Sequence, residues 1–470
     1  MDSVDVLFII PPFHRRNGGG KIFPMGIGYL ISSVESKGYS WGVINCTAMI
    51  ESCYDDDLKV FDKMLRESLK EWNPLLIGVG PCITTQLKAI KVISNVCQNV
   101  LPQVPIYAGG PFASIVGQEE IFYNYLKIPY LIKGDGEEAI IDVISTIKAG
   151  GNIKQSKCIS YSNHSIMNIV MNLDTIPFPY RNEDKADEFS LRRKNAMNSN
   201  KKIMPMIASR GCPYGCNYCV SGNMKKSQVP FRKRSYQNVV LEMKYIKREY
   251  NIDGIVFYDD CFFSNIKRIN EDVKEFCELL KREGLCMEWQ IEMRPDFFVL
   301  LDTEAVNSLQ SAGCVQINLG IEKMSVSGLR FLGKQGNWKG LKQKIEIVKE
   351  NGIKICATFI LGGSNENESD IIELVQDAKK LSLDWAQFSP LFVYPGTPLY
   401  NQFFDTNIEW VETVLNDKLP WGEIVYENNY LSKERLIDLV DYAYAEFYKG
   451  TSHEKEQMVE DRFNIKGRKG

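Results

Sequence analysis

Nine consecutive residues, Gly211-Cys212-Pro213-Tyr214-Gly215-Cys216-Asn217-Tyr218-Cys219, carry the densest chemistry in this chain. The cysteines are spaced C-x3-C-x2-C. Thirteen cysteines scattered over 470 residues would give that spacing by chance about 0.01 times, so it is there for a reason. Gly211, Pro213 and Gly215 suit a tight loop that wraps its thiolates around one metal centre. An electron-transfer [4Fe-4S] cluster usually takes four thiolate ligands. Three, with no fourth nearby in sequence, would leave one iron open for a substrate or cofactor to chelate. Structural zinc would want a fourth Cys or His, and the nearest histidine in sequence is His164.

The other ten cysteines are scattered singly and read mostly as small buried hydrophobes. An odd cysteine count without a secretory signal argues against a disulfide framework. His14, His164 and His453 are far apart, which makes a His-rich zinc or non-haem iron site hard to build. With 44% hydrophobic and 24% charged residues, the composition is that of an ordinary globular protein. A net charge of -3 gives no reason to expect nucleic acid, an anionic membrane or a polyanionic substrate. The apolar run Val4 to Ile10 is too short for a membrane span. It also lacks the basic flank and cleavage site of a signal peptide, so a cytoplasmic location is expected.

The cysteine loop follows the first strand of a strand–helix series, and a separate series precedes it. Over residues 1–150, β-type runs at Val4–Ile10, Trp41–Cys46, Leu75–Gly80, Pro105–Gly110 and Tyr130–Gly134 alternate with amphipathic stretches such as Thr84–Val100. The pattern predicts a doubly wound parallel sheet, whose ligands bind beyond the carboxyl ends of the strands. Residues 151–201 lose the rhythm and read as a connector. A second series over residues 202–400 predicts strands at Ile203–Ser209, Gly254–Tyr258, Glu288–Met293, Val315–Gly320, Ile353–Leu361 and Trp385–Leu391. Helices are expected at Asn238–Tyr250, Ile269–Glu283 and Trp338–Asn351. Six such units suggest a partial (β/α)6 barrel. Residues 401–470 read as a helical C-terminal region rich in aromatics, either covering the barrel mouth and shaping a substrate pocket or forming plain core. The cationic stretch Lys225–Arg234 reads as a solvated face. The fold class is therefore α/β.

The cysteine loop, including the aromatic Tyr218, resembles the signature of the radical S-adenosylmethionine (SAM) superfamily. Further segments resemble that family's motifs in order. Phe257-Tyr258-Asp259-Asp260 is similar to its acidic turn, Arg294-Pro295-Asp296 to its Arg-x-Asp, and Gly320-Ile321-Glu322 to its Gly-Ile-Glu. Phe359-Ile360-Leu361-Gly362 with Glu366 resembles its Gly-rich turn, and Pro395-Gly396-Thr397-Pro398 its Pro-Gly-Thr-Pro. The first 150 residues resemble the Rossmann-like cobalamin-binding domain of the B12-dependent branch, through Pro11-Pro12, Pro24 to Leu30, Ala108-Gly109-Gly110-Pro111 and Lys133-Gly134-Asp135-Gly136-Glu137. The connector segment Leu173–Pro179 fits too. Three departures stand out. The Asp-x-His-x-x-Gly signature of His-on B12 proteins is absent, with Pro12 and Asn17 where Asp and Gly would be, so His14 reads as a surface residue. Lys323 follows Glu322 where serine is common. The fifth turn reads Gly362-Gly363-Ser364-Asn365-Glu366 rather than Gly-Leu-Pro-Gly-Glu.

The resemblance implies three cofactors: a [4Fe-4S] cluster on Cys212, Cys216 and Cys219, SAM, and cobalamin between the two domains. It implies SAM-facing roles for Tyr218, Asp259, Asp260, Arg294, Glu322, Gly362 and Glu366, with Arg294 and Glu322 closest to catalysis. Each has a plainer alternative: loop packing for Tyr218, a helix cap for one aspartate, a surface cation for Arg294, a salt-bridge partner for Glu322. Pro11, Pro12, Gly109, Gly110, Gly134 and Gly136 would border the corrin. The implied activity is a B12-dependent methyltransferase, in which a 5′-deoxyadenosyl radical abstracts hydrogen from an unactivated carbon that then takes a methyl group from methylcobalamin. A non-methylating cyclase or rearrangement enzyme is the alternative on the same scaffold, and a non-catalytic iron–sulfur protein a third. Expected partners are a small-molecule or peptide substrate and a reducing donor such as flavodoxin or ferredoxin, with no nucleic acid and no membrane.

Overall fold

A computed structural model describes residues 2–12, 23–50, 55–181, 201–334, 336, 338–363, 365–405, 407–416 and 424–450. His14 and Trp421 lie outside the described residues. The chain divides into two compact units. One comprises residues 1–182, 224–229 and 394–424, the other residues 183–223, 230–393 and 425–470.

In the first unit the run Val-Leu-Phe-Ile-Ile forms β1 (Val6–Ile10), every residue buried. Such unbroken apolarity belongs to a strand covered on both faces. The extended run beginning near Val4 breaks at Asp5. Its carboxylate accepts hydrogen bonds from the Ser40 amide (2.8 Å) and the Lys148 ammonium (2.7 Å), so Asp2–Val4 pairs separately with Trp72–Pro74. Strands β2 (Trp41–Asn45), β3 (Ile77–Val79), β4 (Ile106–Gly109), β5 (Tyr130–Gly134) and β6 (Met167–Asn168) complete a parallel sheet ordered β2-β1-β3-β4-β5-β6. Strand order reverses at β1, the switch point where doubly wound sheets open a ligand crevice. Val6, Phe8 and Ile10 pack with Ile27 and Ile31 of α1 (Met25–Glu35) and Ile140 and Val143 of α2 (Glu137–Lys148). Strand β6 falls within the stretch expected to be a connector. Two residues are too short for a periodic signal, and the strand is held by Asn168, whose side chain donates to the carbonyls of Lys133 (3.1 Å) and Cys158 (2.9 Å).

The second unit is an open parallel sheet whose order follows the chain: β7 (Ile203–Met206), β8 (Gly254–Phe257), β9 (Glu288–Met293), β10 (Cys314–Glu322), β11 (Lys354–Leu361) and β12 (Trp385–Pro390). Helices fill the crossovers, among them α3 (Tyr236–Tyr250), α4 (Ile269–Arg282), α5 (Leu341–Glu350) and α6 (Glu368–Lys380). This is the strand and helix sequence of a partial (β/α)6 barrel. Strand β10 runs two residues beyond its expected end, with a register shift between Gly320 and Glu322. The C-terminal aromatics serve the sheet. On α7 (Lys433–Tyr448), the Tyr444 and Tyr448 hydroxyls each accept from and donate to the backbone of β12, at Phe388 and Ala386 respectively. These phenols satisfy backbone groups that an edge strand otherwise leaves unpaired.

Candidate functional site

The cysteine loop is fixed before any metal is considered. Gly211 sits at φ +80°, a conformation that glycine adopts freely. Asn223, almost fully buried, donates to the carbonyls of Cys216 and Cys219, both at 2.8 Å, and so ties the end of the loop to the following turn. The Asn217 side chain donates to the Phe331 carbonyl (2.9 Å) and its amide to that of Leu332 (2.8 Å). A side chain on Gly222 would meet the Tyr214 carbonyl oxygen at 2.5 Å, so the loop closes on bare backbone there.

Cys212, Cys216 and Cys219 line a single cavity of about 310 Å³ at the carboxyl ends of the strands. Tyr218, Asp259, Asp260, Arg294, Glu322, Lys334 and Thr358 line it too. Burial raises the Cys219 thiol to about 12 and pushes Cys216 up. Cys212 is instead lowered to about 7, first by a hydrogen bond with Cys261, a fourth cysteine in the same cavity. Cys261 moves the opposite way, and its Sγ donates to the Phe263 carbonyl at 3.2 Å. The sequence placed no fourth cysteine near the loop. The fold brings one from 42 residues beyond Cys219, at the end of β8.

Each implied SAM-facing residue has a definite place. Glu322 is 7% exposed and sits at φ +65°, an uncommon backbone conformation for glutamate. Its carboxylate faces the Lys334 ammonium (3.3 Å) and accepts from the Thr358 hydroxyl (3.4 Å), and it is hydrogen-bonded to Tyr218. Burial, and then the Glu322 charge, raise the Tyr218 phenol well above its ordinary value, so the phenol is the donor. Arg294 is held bidentately by Asp296 (2.9 and 2.8 Å) and lies 3.9 Å from the Tyr214 ring centroid. It is therefore not a surface cation. Asp259 accepts from the Ala208 amide (3.0 Å) and the Ser209 hydroxyl, and so pins the residues that follow β7 to β8 rather than capping a helix. Burial raises its pKa to about 6. Burial also raises Asp260, against a hydrogen bond from Ser221.

Gly362 and Glu366 are not among the residues lining this cavity. Lys323, the residue that departs from the expected serine, donates to the Gly362 carbonyl (3.0 Å) and to both Glu366 oxygens (2.5 and 2.6 Å). Fully buried, it holds the fifth turn against the fourth strand end. Sequence reasoning missed Lys334, Thr358, Asn223 and Cys261. None stands at a motif spacing. It also missed a ladder in which Gln316 donates to Asn318 (2.5 Å) and Asn318 to Glu292 (2.8 Å), leading to the cavity wall. In retrospect its signal is visible: polar residues at alternate positions of otherwise apolar strands.

In the first unit the loop after β3 meets those after β1 and β4 at the sheet's carboxyl edge, and the end of β5 lies against β6. Gln86 donates to the carbonyls of Pro11 (3.3 Å) and Pro12 (3.4 Å). Gly110 is at φ +110°, where a β-carbon would lie 2.6 Å from the Cys82 amide. Gly134 is at φ +79°, with the Asn168 carbonyl at 2.1 Å from such a carbon. The close approach that these two glycines permit is to the chain's own backbone. Gly136 faces the Leu30 side chain, and Gly109 is less crowded.

Residues 206–378 match the family model described as the Radical SAM superfamily. The chain carries a radical SAM domain. Across its whole length it is similar to an uncharacterized methyltransferase of Pyrococcus horikoshii, at 25% identity over 95% of this chain and 93% of that protein. It is also similar to an anaerobic magnesium-protoporphyrin IX monomethyl ester cyclase of Rubrivivax gelatinosus, at 21% identity over 97% and 80%. Among solved structures, the radical SAM methyltransferase TsrM from Kitasatospora setae, with cobalamin and a [4Fe-4S] cluster bound, matches at TM-score 0.66, with 16% identity over 96% of this chain and 90% of that one. That likeness is one of fold, and it extends over both the radical SAM domain and the doubly wound sheet before it. No described helix is long and apolar enough to cross a membrane.

Proposed function

We propose that this radical SAM enzyme is a cobalamin-dependent methyltransferase that acts on an unactivated carbon. The observation that carries the reading is the convergence of three loop cysteines on one cavity whose other walls include the carboxylates and the cation at the ends of β8, β9 and β10, with Lys334 and Thr358 beside them. The donor set fits an iron–sulfur cluster: three thiols of one loop open onto a single cavity. Cys212, Cys216 and Cys219 would hold the cluster, and the unit 1 strand ends near Pro11, Pro12, Gly109, Gly110, Gly134 and Gly136 would border the corrin. When bound, the cluster supplies the electron that cleaves SAM to a 5′-deoxyadenosyl radical, and cobalamin supplies a carrier for the transferred methyl group.

The chain's own residues prepare this site in three ways. The loop thiols must lose their protons to bind iron, so cluster uptake releases protons and weakens at low pH. Glu322, oriented by Lys334 and Thr358, presents a carboxylate to donors such as the SAM amino group or ribose hydroxyls. Arg294 and Lys334 set two cations at the cavity wall, where low exposure strengthens their pull on a carboxylate. Methylation is favoured over cyclisation because the full-length Pyrococcus relative is named a methyltransferase. The cyclase likeness is the reason to test both.

The experiment is anaerobic reconstitution with iron, sulfide and cobalamin, followed by reduction in the presence of SAM and candidate substrates. Retained corrin, 5′-deoxyadenosine and a product heavier by one methylene are expected. 5′-Deoxyadenosine with a product of unchanged carbon count would move the assignment to cyclisation or rearrangement. Absence of retained corrin would remove the methyl-transfer reading.

A further inference from the structure

Residues 394–424 follow the last strand of the radical SAM sheet in sequence, yet they belong to the compact unit of the doubly wound sheet. Part of what they cover there is the loop Gly110–Ile115, which leaves the end of β4. Trp410, on the helix Asn407–Asn416, is 1% exposed, and its ring lies 5.7 Å from that of Phe112. Gly396, at φ +81°, passes so close to Ile115 that a β-carbon on it would stand 2.6 Å from that side chain. Phe112 and Ile115 are both buried. The same loop is tied to the strand ends by hydrogen bonds. The Ser114 hydroxyl donates to the Gly110 carbonyl (2.9 Å) and accepts from the Gly134 amide (2.9 Å), so it joins two of the glycines placed at the corrin border. The Phe112 amide donates to the Cys82 carbonyl (3.0 Å), in the loop after β3.

We infer that residues 394–416 complete the cobalamin site, with Gly396 and Trp410 as positioning residues that hold the Gly110–Ile115 loop in its corrin-binding form. This rests on the reading that the strand ends of this unit border cobalamin. Residues 1–182 are then part of the cobalamin unit rather than the whole of it. The physical reason lies in Gly110, at φ +110°. A glycine has many backbone forms open to it, so the shape of its loop must be imposed by packing. A covered indole supplies about 150–250 Å² of buried area for that purpose. A ligand whose competent form makes up only a fraction of the molecules binds more weakly by that fraction. Removing the cover should therefore weaken corrin binding while leaving the cluster thiols as they are.

The test titrates the anaerobically reconstituted full chain with hydroxocobalamin, following the corrin spectrum, with iron content and circular dichroism measured alongside. Trp410→Ala should bind at least about tenfold more weakly, as expected if the competent loop falls to a tenth of the molecules. Its iron content should match wild type. Trp410→Phe keeps a ring and loses an N–H that has no hydrogen-bond partner among the described residues, so it should bind close to wild type. Gly396→Ala, which presses on Ile115 from a left-handed backbone, should also bind more weakly, and it carries the test should Trp410→Ala not fold. Unchanged affinity in a folded Trp410→Ala or Gly396→Ala overturns the inference. So does parallel loss of iron and corrin, since that is general destabilisation. Failure of wild type itself to bind hydroxocobalamin would overturn the cobalamin reading on which this one stands.

Discussion

Several positions at the strand ends of the doubly wound unit carry small side chains or none: Pro11, Pro12, Gly109, Gly110, Gly134 and Gly136. At the strand ends of the radical SAM unit they are thiols, carboxylates and cations. Most of these charges have their own neutraliser, Arg294 with Asp296, Glu322 with Lys334, Lys323 with Glu366. A face made of backbone is defined by shape and can be spoiled by adding atoms. A face made of buried polar groups is defined by compensation, because each group left without its partner is costly in a low-dielectric site. The two halves of one chain therefore have opposite weaknesses.

The sharpest way to break the second kind of face is to strand a charge beneath it. Arg234 bonds Glu242, the Asn238 side chain (2.7 Å) and the Ile207 carbonyl (2.8 Å), joining the residues after β7 to α3 with both charged partners nearly inaccessible. Glu242→Ala should cost about 3–5 kcal/mol, read as a lower urea midpoint for the cluster-free protein. A midpoint within experimental error of wild type would show that water reaches Arg234.

The first kind of face should fail by addition. Gly134→Ala places a β-carbon 2.1 Å from the Asn168 carbonyl at φ +79°. The left-handed backbone costs about 1–2 kcal/mol, and the overpacking about 1–3 kcal/mol more. Expected is loss of corrin retention with iron content unchanged. Equal loss of both would mean that the two faces do not fail separately.

The smallest effect sharpens the comparison through pH. Burial raises Asp259 from 3.8 to about 6. The folded state then binds a proton more tightly than the unfolded chain does. Stability contributed by that proton is present below the unfolded value and is lost as pH rises toward 6, a fall of at most roughly 3 kcal/mol. Asp259→Asn should flatten the dependence of cluster-free stability on pH between about 4 and about 6. A slope that persists in the variant would assign it to another group.

Much of this was legible in the residues. The order of strands and helices followed from apolar runs alternating with amphipathic stretches, and Glu288–Met293 and Tyr130–Gly134 matched to the residue, because both are bounded by turn-forming or polar neighbours. The cysteine loop was legible because its ligands lie within eight residues. Strand β6 was not, being two residues held by one asparagine. Nor was the role of the C-terminal tyrosines, since a phenol bonding a strand edge has no spacing in sequence.

The sequence by itself determined the alternation of elements, the three-thiol loop and the order of the motifs after it. These are local properties, set by neighbours along the chain. Only the tertiary structure decided that Lys323 pairs with Glu366, that Lys334 faces Glu322, and that Cys261 joins Cys212 in one cavity. Those pairings join residues 12 to 49 positions apart. Which of many polar side chains meet at that range is fixed by register and strand length, here by a strand that runs two residues further than its apolar pattern and turns Glu322 inward at a positive φ.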